Sequence, residues 1–203
     1  MIEPKKLRLR TLLGADIHRN VLMLERRTIM AAKQMVAGGA RAGEIVVVRL
    51  AYGDFLLESI QEICRRHRIR EGLILTGFGS LTDIAVSGAV GASFPPRKFY
   101  QRTRPRGVEI LAMSGVIANY HVHCHIVLSD RKQAFGGHLE RGCRVLSLAE
   151  IALMRVTGIK LARLVDETTG QKLLQSVRAY PRRNDSAEED SLHIVASRIG
   201  KTP

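Results

Sequence analysis

Runs of aliphatic residues recur along the chain between short breaks at Gly, Asn and Asp, and their spacing changes once. "EIVVVRLAYG" is a β-branched run between Gly43 and Gly53 and predicts a strand. "DFLLESIQEICRRHR" then places Leu56, Leu57, Ile60, Ile63 and Cys64 on one helical face, with Asp54 as candidate N-cap. Its basic cluster, Arg65 to Arg68, falls where a helix C-terminus favours positive charge. After this helix the period shortens to that of strands: "GLILTGF", "TDIAVSGAV", "GVEILAMSGVIA", "HVHCHIVLS", "VLSLAEIALMRV" and "KLARLVDE". One amphipathic helix followed by many short strands predicts an α+β fold, with a mainly antiparallel sheet rather than repeated βαβ units.

The ends are less regular. Residues 1–26 read as a basic extension, residues 27–180 as the folded domain, and residues 181–203, with "RRNDSAEED", as a polar, mobile tail. "RTIMAAKQMV" suits a short helix or a strand equally well, because "AGGARAG" follows it so closely.

Composition narrows the class. The 203 residues are 45% hydrophobic but only 4% aromatic, so the core must rest on Val, Ile, Leu and Ala. No apolar run approaches the roughly 18 residues of a membrane span, which predicts a protein not inserted in membranes. Cys64, Cys124 and Cys143 are odd in number and form no CxxC pair, which argues against a disulfide framework and for a reducing cytoplasm. The net charge of +13 spreads over the N-terminal segment and the body, and such a field favours phosphate backbones as partners or simply maintains solubility.

Two stretches carry candidate chemistry. In a strand, His121, His123 and His125 share one face, neighbours being about 6.7 Å apart, while Val122 and Cys124 face the other way. Two such imidazoles can converge on an ion, and "GGH" can supply a third in His138 if its glycines allow close approach and a sharp turn. A three-histidine set with an open fourth position suits zinc or another divalent transition metal; a buried polar network is the other reading of the same residues. Glu109, Asp130 and Glu150 are the carboxylates that hydrolytic chemistry at such an ion would call on, although pairing with Arg or capping backbone groups at subunit contacts accounts for them more readily. With no nucleophile motif or nucleotide fingerprint beside them, catalysis is the lesser expectation.

The second stretch, "PPRKFYQRTRPRG", brings Arg97, Lys98, Arg102, Arg104 and Arg106 into one acid-free loop able to neutralise phosphates. Its "RTRPRG" approaches the Arg-Gly-Arg-Pro core of an AT-hook, but Thr103 stands where the glycine must lie deep in the minor groove.

In order along the chain, "VVVRLAYGDFLLESI", "TGFGSLTDIAV", "GVEILAMSG", "HCHIVLSDRKQAFGGHLERGC" and "LVDETTGQKLL" resemble the successive segments of the plant-and-prokaryote conserved (PPC) domain family. The resemblance covers roughly residues 28–176 and favours an extended conformation for residues 28–36. It implies a compact α+β domain that assembles as a homotrimer. It also places His123, His125 and His138 at the family's His-x-His and Gly-Gly-His positions, with no counterpart for His121. Plant members join the domain to AT-hooks and act as DNA-binding regulators. The first expectation is therefore a homotrimeric DNA-binding or regulatory protein using its basic segments. The second is a metal-dependent enzyme, hydrolase-like if so, or a small-ligand binder, with its site at the histidines.

Overall fold

A computed structural model describes residues 38–181, apart from residues 105, 106 and 168. The basic extension, "RTIMAAKQMV" and nearly all of the tail lie outside the described residues, as does Arg106.

The β-branched run forms β1, Arg41–Ala51. It is followed by the helix α1, Leu56–Arg66, and by β2, Glu71–Val90. The remaining strands are β3 (Arg97–Thr103), β4 (Val108–Ala118), β5 (His121–Ser129), β6 (Ala134–Leu139), β7 (Arg144–Thr157), β8 (Leu161–Val165) and β9 (Lys172–Ser176). The main sheet is antiparallel throughout and runs β1-β7-β2-β4-β5-β6, with β3 added to β2. The β8–β9 hairpin is separate. A mainly antiparallel sheet with one helix among the described residues is the architecture that the hydrophobic pattern predicts.

β2 organises the molecule. Its first half pairs with β4 and β7, and its second half pairs with β3 and touches β6 at Val86–Leu139 and Ser87–His138. Strands β2, β4, β5 and β6 therefore close a ring. Inside it, Val86, Ile126, Leu128 and Leu139 are buried to 2% exposure or less. α1 covers the same apolar side of the sheet with Leu56, Leu57, Ile60 and Cys64, joining Val46, Ile74 and Leu153 in a single core.

Four local expectations are corrected. "GLILTGF" and "TDIAVSGAV" are one strand, not two: Gly79 adopts φ +146° and the register shifts around it, so the break bends β2 without ending it. A side chain at Gly79 would lie 2.3 Å from the Leu148 carbonyl oxygen, so only glycine fits there. The basic "loop" is largely strand β3, whose seven residues are all exposed and so show no apolar alternation. Asp54 does not cap α1; Phe55 holds the N-cap position, and the Asp54 carboxylate accepts from the Ala51 N–H at 2.8 Å. Gly136 and Gly137 lie within β6 and make no turn; their lack of a side chain serves close approach instead.

Candidate metal centre

Antiparallel pairing puts directly opposed residues on one face of a sheet. His125 of β5 lies directly opposite His138 of β6. Two residues before His125 on the same strand, His123 presents its ring to the same side. The strands can come together here because β6 carries no side chains at two points. A Cβ on Gly136 would stand 2.1 Å from the Ile126 carbonyl oxygen, and one on Gly137 would stand 2.5 Å from that of Ser87. β6 is thus pressed between β5 and β2, which delivers His138 to the other two rings.

The result is a tight cluster. Ring centroids are 4.6 Å apart for His123–His138, 5.4 Å for His123–His125 and 5.5 Å for His125–His138. One ring nitrogen from each of the three lies within 4.8 Å of the others, and among the described residues this is the one such group of potential ligands. In a tetrahedral site with metal–nitrogen bonds near 2.0 Å, ligand nitrogens are about 3.3 Å apart. Small side-chain rotations span that difference. His121, at the exposed start of β5, is not in the group.

The electrical state of the cluster suits coordination. Burial holds His123 well below the usual imidazole range, at about 4, and the Arg163 guanidinium and the neighbouring histidines act the same way. Burial also lowers His138, with help from His125, Lys98 and Arg163 and against the pull of Glu140. Both rings are therefore neutral at neutral pH, with a lone pair free for a metal. Three imidazoles fit zinc or a similar borderline ion, and leave at least one coordination position for another ligand.

The proposed carboxylate helpers are elsewhere. The Asp130 carboxylate accepts the backbone N–H groups of Lys132 and Gln133, at 2.7 and 2.9 Å, and so shapes the β5–β6 turn. Glu109 lies opposite Ser80 and Ser129, and Glu150 opposite Arg49 and Phe78. Glu140, whose field reaches His138, already accepts the Ser87 hydroxyl at 2.6 Å.

The basic residues separate in the same way. Arg97, Lys98 and Arg102 are exposed along β3. Arg104 donates from Nε to Asp83 at 2.7 Å, so part of its charge is offset, while Arg102 reaches the Arg141 carbonyl at 3.4 Å. Since Ser87 pairs with both His138 and Tyr100, the face of β3 bearing Lys98, Tyr100 and Arg102 is continuous with the histidine face. The sequence reading missed Arg163, on β8, whose charge acts on two of the three rings. A residue 25 positions beyond His138, in a separate hairpin, leaves no spacing signal.

The cysteines carry no chemistry at this site. All three are free and buried, and burial pushes the thiols of Cys64 and Cys124 up to about 12 and that of Cys143 to about 11.

The model of one family, described as the Plants and Prokaryotes Conserved (PCC) domain, matches residues 37–157. Among curated proteins, the bifunctional protein GlmU of Synechococcus sp. (strain JA-2-3B'a(2-13)) is 30% identical over 128 residues, which are 63% of this chain and 19% of GlmU. The chain thus spans about a fifth of the length of the curated relatives it matches. Three solved structures share the fold. A plant- and prokaryote-conserved protein from Pyrococcus horikoshii superposes with TM-score 0.59 at 24% identity, covering 71% of this chain and 100% of its own. A metal-containing protein from Archaeoglobus fulgidus gives 0.59 at 24% identity, over 68% and 98%. A protein from Ralstonia eutropha provisionally described as DNA-binding gives 0.52 at 22% identity, over 75% and 99%.

Proposed function

The chain belongs to the Plants and Prokaryotes Conserved (PCC) domain family, and from that premise we propose that it is a homotrimeric binding protein that holds a divalent transition metal, zinc in the first instance, on His123, His125 and His138. The observation that carries this reading is the convergence of three ring nitrogens to within 4.8 Å on one face of one sheet. The metal-containing relative from Archaeoglobus fulgidus supports it. A bound ion would supply a Lewis acid at its open position. The protein's part is to keep His123 and His138 neutral and all three rings close together on paired strands. Binding is favoured over turnover because the carboxylate nearest in its effect, Glu140, is already engaged by Ser87.

Assembly is supported by the sheet face that α1 leaves bare. Ile45, Val47, Phe78, Leu111 and Val127 are 54%, 77%, 50%, 54% and 45% exposed. In order β1-β7-β2-β4-β5 the pairing places Val47, Ala152 and Thr76 on the face that carries His125. A second copy of the chain would cover this apolar surface, which is broad for a monomer. The domain would span residues 27–180: beyond β9 the Tyr180 hydroxyl still donates to buried Glu71, at 2.5 Å. Among the described residues no helix is long and apolar enough to cross a membrane, and three unpaired thiols fit the cytoplasm.

Nucleic-acid binding is the second reading, favoured by β3, where Arg97, Lys98 and Arg102 stand exposed with no acid on the strand. The Ralstonia eutropha relative supports it.

Elemental analysis decides the first reading. Protein stripped with a chelator, reloaded with zinc and desalted should retain one ion per chain, and His125→Ala should retain none. Equal retention by both would refute coordination at this cluster.

A further inference from the structure

An ion at this cluster would sit in an environment short of negative charge. An imidazole ligand carries no charge, so three of them leave a divalent ion its full charge. Two further cations act on the same rings: Arg163 on His123 and His138, and Lys98 on His138. Arg163 is half-buried on β8, and its Nε is sequestered from solvent with no hydrogen-bond partner among the described residues. A buried guanidinium N–H without an acceptor is rare in folded proteins, and its usual partner is a carboxylate or phosphate. Lys98 lies on β3, on the face that the register makes continuous with His138 across β2. Against these stands Glu140, whose carboxylate is held by Ser87.

We propose that the histidine centre is a receptor for a small oxyanion, a phosphate or carboxylate group that takes the open coordination position of the ion while Arg163 and Lys98 hold its remaining oxygens. The proposal rests on the metal-binding reading and adds the ligand class to it. The planar fork of Arg163 matches two oxygens of one group, and Lys98 supplies a movable point charge from the solvent side. No bond is made or broken beyond coordination.

The test uses the full-length protein loaded with cobalt(II), whose visible absorption reports changes in its ligands. Inorganic phosphate and acetate are titrated separately at constant ionic strength with chloride as the reference anion. The expected result is a saturable spectral change with phosphate, acetate or both. Arg163→Met should weaken it by about ten-fold or more, and Lys98→Gln, at an exposed position, by about two- to five-fold. Cobalt stoichiometry should stay at one per chain in both variants. If wild-type protein takes up no cobalt, the metal-binding reading falls and this proposal falls with it. If cobalt binds but neither anion changes the spectrum, or both variants respond as wild type does, the oxyanion proposal is overturned and the metal site stands. Should Arg163→Met fail to fold, judged by circular dichroism, Arg163→Lys and Lys98→Gln carry the comparison.

Discussion

The four histidines of residues 121–138 are not equivalent, and strand alternation with one pairing register explains the difference. His123, His125 and His138 converge, whereas His121 sits a pair further along β5 and outside the ligand group. Alanine at His123 should therefore weaken zinc binding by more than the roughly 10- to 100-fold typical of losing a supporting residue around a metal. Alanine at His121 should change it far less, as isothermal titration would show. The pH dependence follows from the depressed His123. Its folded-state value, about 4, lies below the ordinary imidazole value of 6.5. The unfolded chain thus takes up the proton first, and stability falls as pH drops through 6.5 toward 4. His138 contributes in the same direction. The melting temperature of chelator-treated protein should fall over this window, and zinc should offset the loss near its upper end, where coordination still competes with protonation. A melting temperature unchanged between pH 7 and 5 would contradict the burial of these rings. The cysteines make the opposite prediction: with thiols at about 11 to 12, the folded protein should resist iodoacetamide at pH 8 and react once denatured.

At the scale of elements, legibility in the sequence followed burial. α1 and the core-lining strands were readable because one face of each is dry, so apolar residues recur with the period of the structure. The same reasoning found the His-x-His pair, since Val122, Cys124 and Ile126 on the reverse face fix which way the histidines point. It failed where burial leaves no trace. β3 is exposed at every position, and the five residues of β9 are exposed or only half-buried. β2 hid its continuity behind Gly77 and Gly79; at Gly79 the register shifts but the strand continues. The role of β6 lay in residues that have no side chains. Gly136→Val makes that role testable: the added Cβ would meet the Ile126 carbonyl oxygen and force β6 away from β5. Metal affinity should drop sharply even though all three histidines remain. A variant that folds and binds zinc as wild type does would show that the close approach is dispensable.

At the scale of the whole molecule, the bare sheet face and the ligand set make a joint prediction. All three candidate ligands come from β5 and β6 of one chain, so metal binding at the proposed site should not need assembly, whereas covering the exposed apolar residues across β1, β2 and β4 should. Val47 and Phe78 are 77% and 50% exposed and make little of the core, so charge there should cost the single chain little. In an interface the same charge would be buried without a partner, which is costly enough to dissociate most assemblies. Val47→Glu with Phe78→Glu should therefore turn a trimer into a monomer in light scattering after gel filtration, while zinc stoichiometry stays at one per chain. Duplex DNA binding offers a contrast, because a wide basic surface gains from every copy: the exposed Arg97, Lys98 and Arg102 of β3 would be repeated three times in the assembly. The slope of log affinity against log salt reports how many phosphates are neutralised, so it should be steep for the assembly and shallower for the monomer. A DNA affinity that ignores both salt and assembly would place nucleic acid outside this protein's chemistry and leave the histidine centre as its functional surface.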